Sequence, residues 1–209
     1  MKFFSREYQE IKNFVEENFK IILILGVATF SLIMQWYRPL RFSPALSNVF
    51  YFMVLPVLVI RFILKDNPYY YGLGLGNYKL WINYVAVTII ISVPVLYLAS
   101  HFSQVYRYYG RGFNYYEFFS ITVPILLAWE YLLRGFLLFG LEERFGKASI
   151  VIQMVPFVLL HLGKPEIETL SCIITGLWFG WVAYRSRSFW PAFFMHTFIN
   201  FINSIFTNL

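Results

Sequence analysis

"PILLAWEYLLRGFLLFG", residues 124–140, has the length and apolarity of the inside of a membrane span, yet it carries Glu130 and Arg134 among leucines and aromatics. A charged side chain at the centre of a hydrocarbon core costs about 3 kcal/mol or more. The surroundings decide whether lipid is the solvent. The chain of 209 residues is 59% hydrophobic and 22% aromatic but only 13% charged, about half the charge of an ordinary soluble domain. Its mean hydropathy is +0.59. The net charge of +6 then marks cytoplasmic loops and anionic headgroups. No dense Lys/Arg run offers a nucleic-acid surface, so no nucleic-acid partner is expected. The single cysteine, Cys172, excludes an intramolecular disulfide and a cysteine metal cluster and reads as packing.

Working outward, the hydropathy pattern predicts an all-α, polytopic membrane protein of about seven spans, near 21–37, 47–64, 80–101, 117–140, 148–163, 167–184 and 188–207. The fifth is short and contains Pro156, so it is kinked, thinly spanning or buried among its neighbours. There is no internal repeat and no linker to a soluble domain. Residues 1–20 mix Glu with Lys and Arg and do not read as a signal peptide. Phe4, Tyr8, Ile11 and Val15 recur at helical spacing there, which predicts an amphipathic segment on the membrane surface. Lys and Arg concentrate on the side of this tail and of the loops after the second, fourth and sixth spans, predicting a cytoplasmic N-terminus. "GLGLG" at 72–76 lacks a nucleotide-binding context and reads as a flexible inter-span loop. Gly176 and Gly180 form a small-xxx-small face for close helix packing.

Glu130 and Arg134 share a helix face and can neutralise one another. They are not alone. The next span carries Phe157 and His161, with Lys164, Glu166 and Glu168 at its exit, and the last carries His196 and Asn200 on one face. One polar chamber would satisfy all of them together. The residue types suit hydrolysis of a peptide bond without a covalent nucleophile. A carboxylate in a low-dielectric chamber is a general base toward water, one imidazole positions the water or binds a metal, and a second imidazole with an amide donates to an oxyanion. No serine sits beside a histidine in this set.

These three pairs resemble the motifs of the CPBP family of intramembrane proteases (CAAX proteases and bacteriocin-processing enzymes, also called Abi). The first motif is a Glu pair, three residues and Arg; Glu130, Arg134 and the following Gly135 match it. The second, Phe and His four later, is matched by Phe157 and His161. The third, His and Asn or Asp four later, is matched by His196 and Asn200. The resemblance covers about 115–205 and implies a conical helical active-site core in the C-terminal half, with residues 21–114 as accessory spans. It implies an integral membrane endopeptidase acting on prenylated CAAX tails, leader peptides or membrane-protein segments. Glu130 would activate water, His161 position it, His196 and Asn200 stabilise the oxyanion, and Arg134 orient the carboxylate. Whether a divalent metal such as zinc joins His161, His196 and Glu130, or none does, stays open. One position departs from the family: the first Glu of the pair, its usual water-activating base, is Trp129. Either the chain is an inactive scaffold or immunity protein, or another carboxylate completes the site. Glu168, which a turn at Lys164–Pro165 could fold back over the chamber to share the water with Glu130, is the candidate. A small transporter would also use buried His and Glu, but no paired half-helices are visible.

Overall fold

The computed structural model describes residues 2–209 and, among them, contains helices and no strand. The helical segments are α1 (Lys2–Tyr37), α2 (Pro44–Ile63), α3 (Tyr78–Ser100), the short α4 (Ser103–Tyr109), α5 (115–145), α6 (Ser149–Leu159), α7 (Glu166–Ser186) and α8 (Trp190–Phe206). Their starts follow from local chemistry. Ser43, Asn77 and Asn114 each cap a helix by accepting a hydrogen bond from a backbone N–H three residues on, satisfying donors that the first turn leaves free. Pro44, just after Ser43, supplies a preset φ.

Among the described residues, five helical stretches are long and apolar enough to cross a membrane: α1, α2, α3, the 115–159 stretch that holds α5 and α6, and α7. The expected count of seven is not reached by this measure. α6 has 11 residues and α8 has 17, so α6 is only about 16 Å long, roughly half a hydrocarbon core. The chain is an integral membrane protein. Residues 2–20 are helical and run without a break into the first span.

α5 sits at the centre. Ala128, Tyr131, Leu132, Leu133, Phe136 and Leu138 have no measurable exposure, the signature of a helix apolar on every side and enclosed by others. α1 contributes Ile24 and Ala28, α2 Phe52 and Ile60, and α6 and α7 Phe157, Cys172 and Ala183 to the same core. Gly146, with φ +52° and ψ −132°, turns the chain back so that α6 packs along α5. Counted from that hairpin at ~1.5 Å per residue, Glu130 stands ~22 Å up α5 and His161 ~18 Å up α6. The short α6 thus brings both to one level.

Two further contacts set the site-bearing helices. α6 and α7 meet through the glycine face: a Cβ on Gly176 would lie 2.9 Å from both Met154 and Phe157, and one on Gly180 would run into Gln153. The buried Gln153 amide donates to the Gly176 carbonyl at 2.9 Å. The 72–76 loop, expected to be flexible, is instead pinned. Ser188 donates to the Gly74 carbonyl (2.7 Å), Trp190 to that of Leu73 (3.0 Å) and the Phe189 N–H to that of Gly72 (3.1 Å). These bonds hold the entry of α8, and with it His196. Gly180→Val should therefore lower stability by about 1–3 kcal/mol through overpacking, read as a reduced thermal midpoint of the detergent-solubilised protein. An unchanged midpoint would mean that the α6–α7 contact is loose.

Candidate active site

The site grows from one irregular turn. α5 is regular from Val123 to Glu130 and widens into a π-helical stretch over Tyr131–Leu137. Such wide turns re-aim side chains and recur at functional sites. Glu130 and Arg134 flank the change, and both are fully buried. Arg134 Nη1 donates to Glu130 Oε1 at 3.0 Å. His196 Nδ1 lies 2.6 Å from the same oxygen. The guanidinium also lies 4.1 Å above the Phe157 ring and 5.4 Å from that of Phe179, a cation–π arrangement that gains strength away from water.

His161 sits in the turn just after α6. Its Nδ1 is 2.7 Å from the Phe157 carbonyl, which can only accept, so Nδ1 carries the proton and Nε2 of the neutral ring holds a lone pair. Its own carbonyl accepts from Thr169 Oγ1 at 2.8 Å, tying the turn to α7. The two imidazoles stack at 6.0 Å between centroids and 28° between planes. Asn200 donates one amide N–H to the His196 carbonyl at 3.1 Å and keeps another free.

A cavity of about 180 Å³ lies against these groups, with His161, His196, Asn200, Glu168, Tyr109 and Cys172 among its lining. Glu130 is not in that lining; it stands behind His196. Glu168, in the first turn of α7, is in the wall, where Tyr109 donates to both of its oxygens at 2.8 Å and Lys164 to one at 2.9 Å. Burial first, and the Glu168 carboxylate next, push the Tyr109 phenol well above its ordinary range, so it remains a donor at neutral pH. The structure therefore brings Glu130, Arg134 and His196 into contact, sets His161 and Asn200 beside them, and gives Glu168 its own partners in the cavity wall. Trp129 turns its ring edge to His161 at 6.0 Å and donates from Nε1 to Asn48 at 2.8 Å.

The residues named for a metal do not make a three-ligand set. Glu130 Oε1 and His196 Nδ1 are spent on one another, and no group of three His, Cys, Asp or Glu among the described residues is arranged to hold an ion.

Comparison with known proteins bears on this half of the chain. The family model described as "Type II CAAX prenyl endopeptidase Rce1-like" matches residues 114–202. The match spans less than half of the chain, and it marks that segment as similar to the CPBP family. No curated protein and no solved structure matches the chain. The CPBP segment holds all three polar pairs and Glu168. It omits Tyr109 and Asn48, which hold Glu168 and Trp129. Neither was legible in the sequence, because the hydrogen bonds bridge 59 and 81 residues and lone Tyr and Asn residues carry no motif.

Removing one member of a buried ion pair leaves the other uncompensated, at about 3–5 kcal/mol. Arg134→Met should lose stability in that range, and Arg134→Met with Glu130→Gln should lose clearly less than the two single losses added. Thermal unfolding of the four proteins in one detergent checks this. Additive losses would show that the pair does not act as a unit.

Proposed function

We propose that the chain is an intramembrane endopeptidase that hydrolyses peptide bonds with an activated water, in the class that processes prenylated CAAX tails or leader peptides. The protease class follows from the CPBP segment. The observation that carries the finer reading is the shared cavity wall of His161, His196, Asn200 and Glu168, with Glu130 and Arg134 behind His196.

In this reading the water lies in the cavity and donates one hydrogen bond to His161 Nε2. Glu168, the carboxylate in the wall, takes its proton as the oxygen attacks the scissile carbonyl carbon. With Nδ1 turned to Glu130, the imidazolium form of His196 presents Nε2–H to the oxyanion as a charge-assisted donor, joined by the free N–H of Asn200. Arg134 keeps Glu130 oriented. The C–N bond then breaks as the Glu168 proton passes to the leaving nitrogen. Glu168 thereby stands in for the carboxylate that the family carries where this chain has Trp129, and Glu130 acts through His196 instead of touching water.

The alternative, an inactive family member serving as scaffold or immunity protein, draws its support from Trp129, whose ring fills the space beside His161. Cleavage of a prenylated CAAX peptide and of a leader peptide in proteoliposomes separates the readings. Glu168→Gln, Glu130→Gln and His196→Ala should each lose about 100-fold or more, the scale of removing a base or an oxyanion donor, while thermal midpoints report folding. Arg134→Lys should be impaired although it keeps the charge, because the planar fork is lost. Cleavage that survives Glu168→Gln but not Glu130→Gln would place the base on the Glu130–His196 pair. A parent that cleaves nothing while Trp129→Glu does would identify a protease scaffold without its base.

A further inference from the structure

α1 is far longer than a membrane requires. Its 36 residues extend ~54 Å against a hydrocarbon core of ~30 Å. Residues 3–17 are all exposed, including Phe4 at 77%, Tyr8 at 68%, Ile11 at 61% and Phe14 at 60%. Large apolar side chains on a helix that has left the membrane need a cover.

Their spacing describes the cover. Phe4, Tyr8, Ile11, Val15, Asn18, Ile22 and Leu25 alternate steps of four and three, the 3.5-residue repeat of a coiled-coil seam, with Asn18 as its one polar member. At 100° per residue this seam lies about 145° round the helix from Ile24, Ala28 and Ser31, the residues that α1 buries against its own chain. Lys20, on the face away from the seam, is held by Glu143 at 2.7 Å. The protein's own body therefore sits mainly on the opposite face; Val15 and Ile22 of the seam line a groove with Leu55 of α2, and the seam from Phe4 to Ile11 is left uncovered.

The flanks fit a second copy. In a parallel pair, Glu7 of one helix precedes the seam and faces Lys12 of the other, and Phe14 faces Phe19 in the same way one heptad on. Parallel is the arrangement two copies must adopt, since the same residues of each enter the membrane from the same side. A lipid surface fits less well. Residues 3–20 hold three basic and four acidic side chains, giving no attraction to anionic headgroups. The helix also passes from the extension into the span without the Pro, Gly pair or wide turn that a bend would need.

We infer that residues 4–25 pair with the same segment of a second copy as a parallel coiled coil, making the protein a homodimer whose two catalytic halves stand on the outer flanks. Oxidative cross-linking of the full chain in proteoliposomes at high lipid-to-protein ratio tests this, in a Cys172→Ala background that leaves one thiol per copy. Ile11→Cys in the seam should form disulfide dimers several-fold more than Asn13→Cys on the outer face. Adding Glu7→Lys or Lys12→Glu to Ile11→Cys should each reduce the dimer, and mixing those two proteins should restore it, because each copy then faces its opposite charge. Equal cross-linking at 11 and 13, or failure of the mixture to restore it, overturns the pairing. So does an Ile11→Cys thiol that neither cross-links nor reacts with a membrane-impermeant reagent, which would mean that the segment lies on lipid.

Discussion

One carboxylate oxygen, Oε1 of Glu130, meets both Arg134 and His196 where no water reaches. Four helices depend on that point. Arg134 belongs to α5, lies over Phe157 of α6 and Phe179 of α7, and shares its acceptor with a ring carried by α8. A buried ion pair is weak evidence for stability, because apolar residues of similar volume often serve as well. What it supplies is position. Each member has one low-energy arrangement, and leaving it strands a charge, so the imidazole of His196 is held more narrowly than packing alone would hold it. The cation–π contacts add attraction without adding another titrating group.

Much of this could be read from the chain. The helical class followed from composition, and the three polar pairs followed from i, i+4 spacing inside apolar stretches, where a charge without a partner is too expensive to be incidental. Glycines 176 and 180 announced the close approach of α6 to α7. The shortness of α6 and the extent of α8 were legible, but the end of α6 at Leu159, before the expected 163, was not, because hydropathy reports apolarity and not where a helix turns back. The loop at 72–76 was misread for a related reason. Its backbone carbonyls accept from Ser188, Trp190 and the Phe189 N–H, and backbone acceptors are the same at every residue, so composition cannot reveal that they are used. The placement of Glu130 behind His196 also lay beyond the pattern, since spacing says which residues share a face and not which of them meets the cavity.

The family segment alone does not make the cavity. Val95, Leu96 and Ala99 of α3 and Val105 and Tyr109 of α4 form part of its wall, all outside residues 114–202. Asn48 of α2 holds the Trp129 ring beside His161, and satisfies its indole N–H so that no donor is left unpaired there. The carboxylate in the cavity wall comes from another helix. It is Glu168, in the first turn of α7, where the helix dipole favours an anion and Tyr109 and Lys164 complete its hydrogen bonds. The strap that brings Tyr109 there is itself anchored at the end of α8, through Asn208 bonded to the Tyr109 carbonyl and to the Gly112 N–H. The N-terminal half thus contributes wall and fastening to the site, with Trp129 of α5 held from α2 and Glu168 of α7 held from α4.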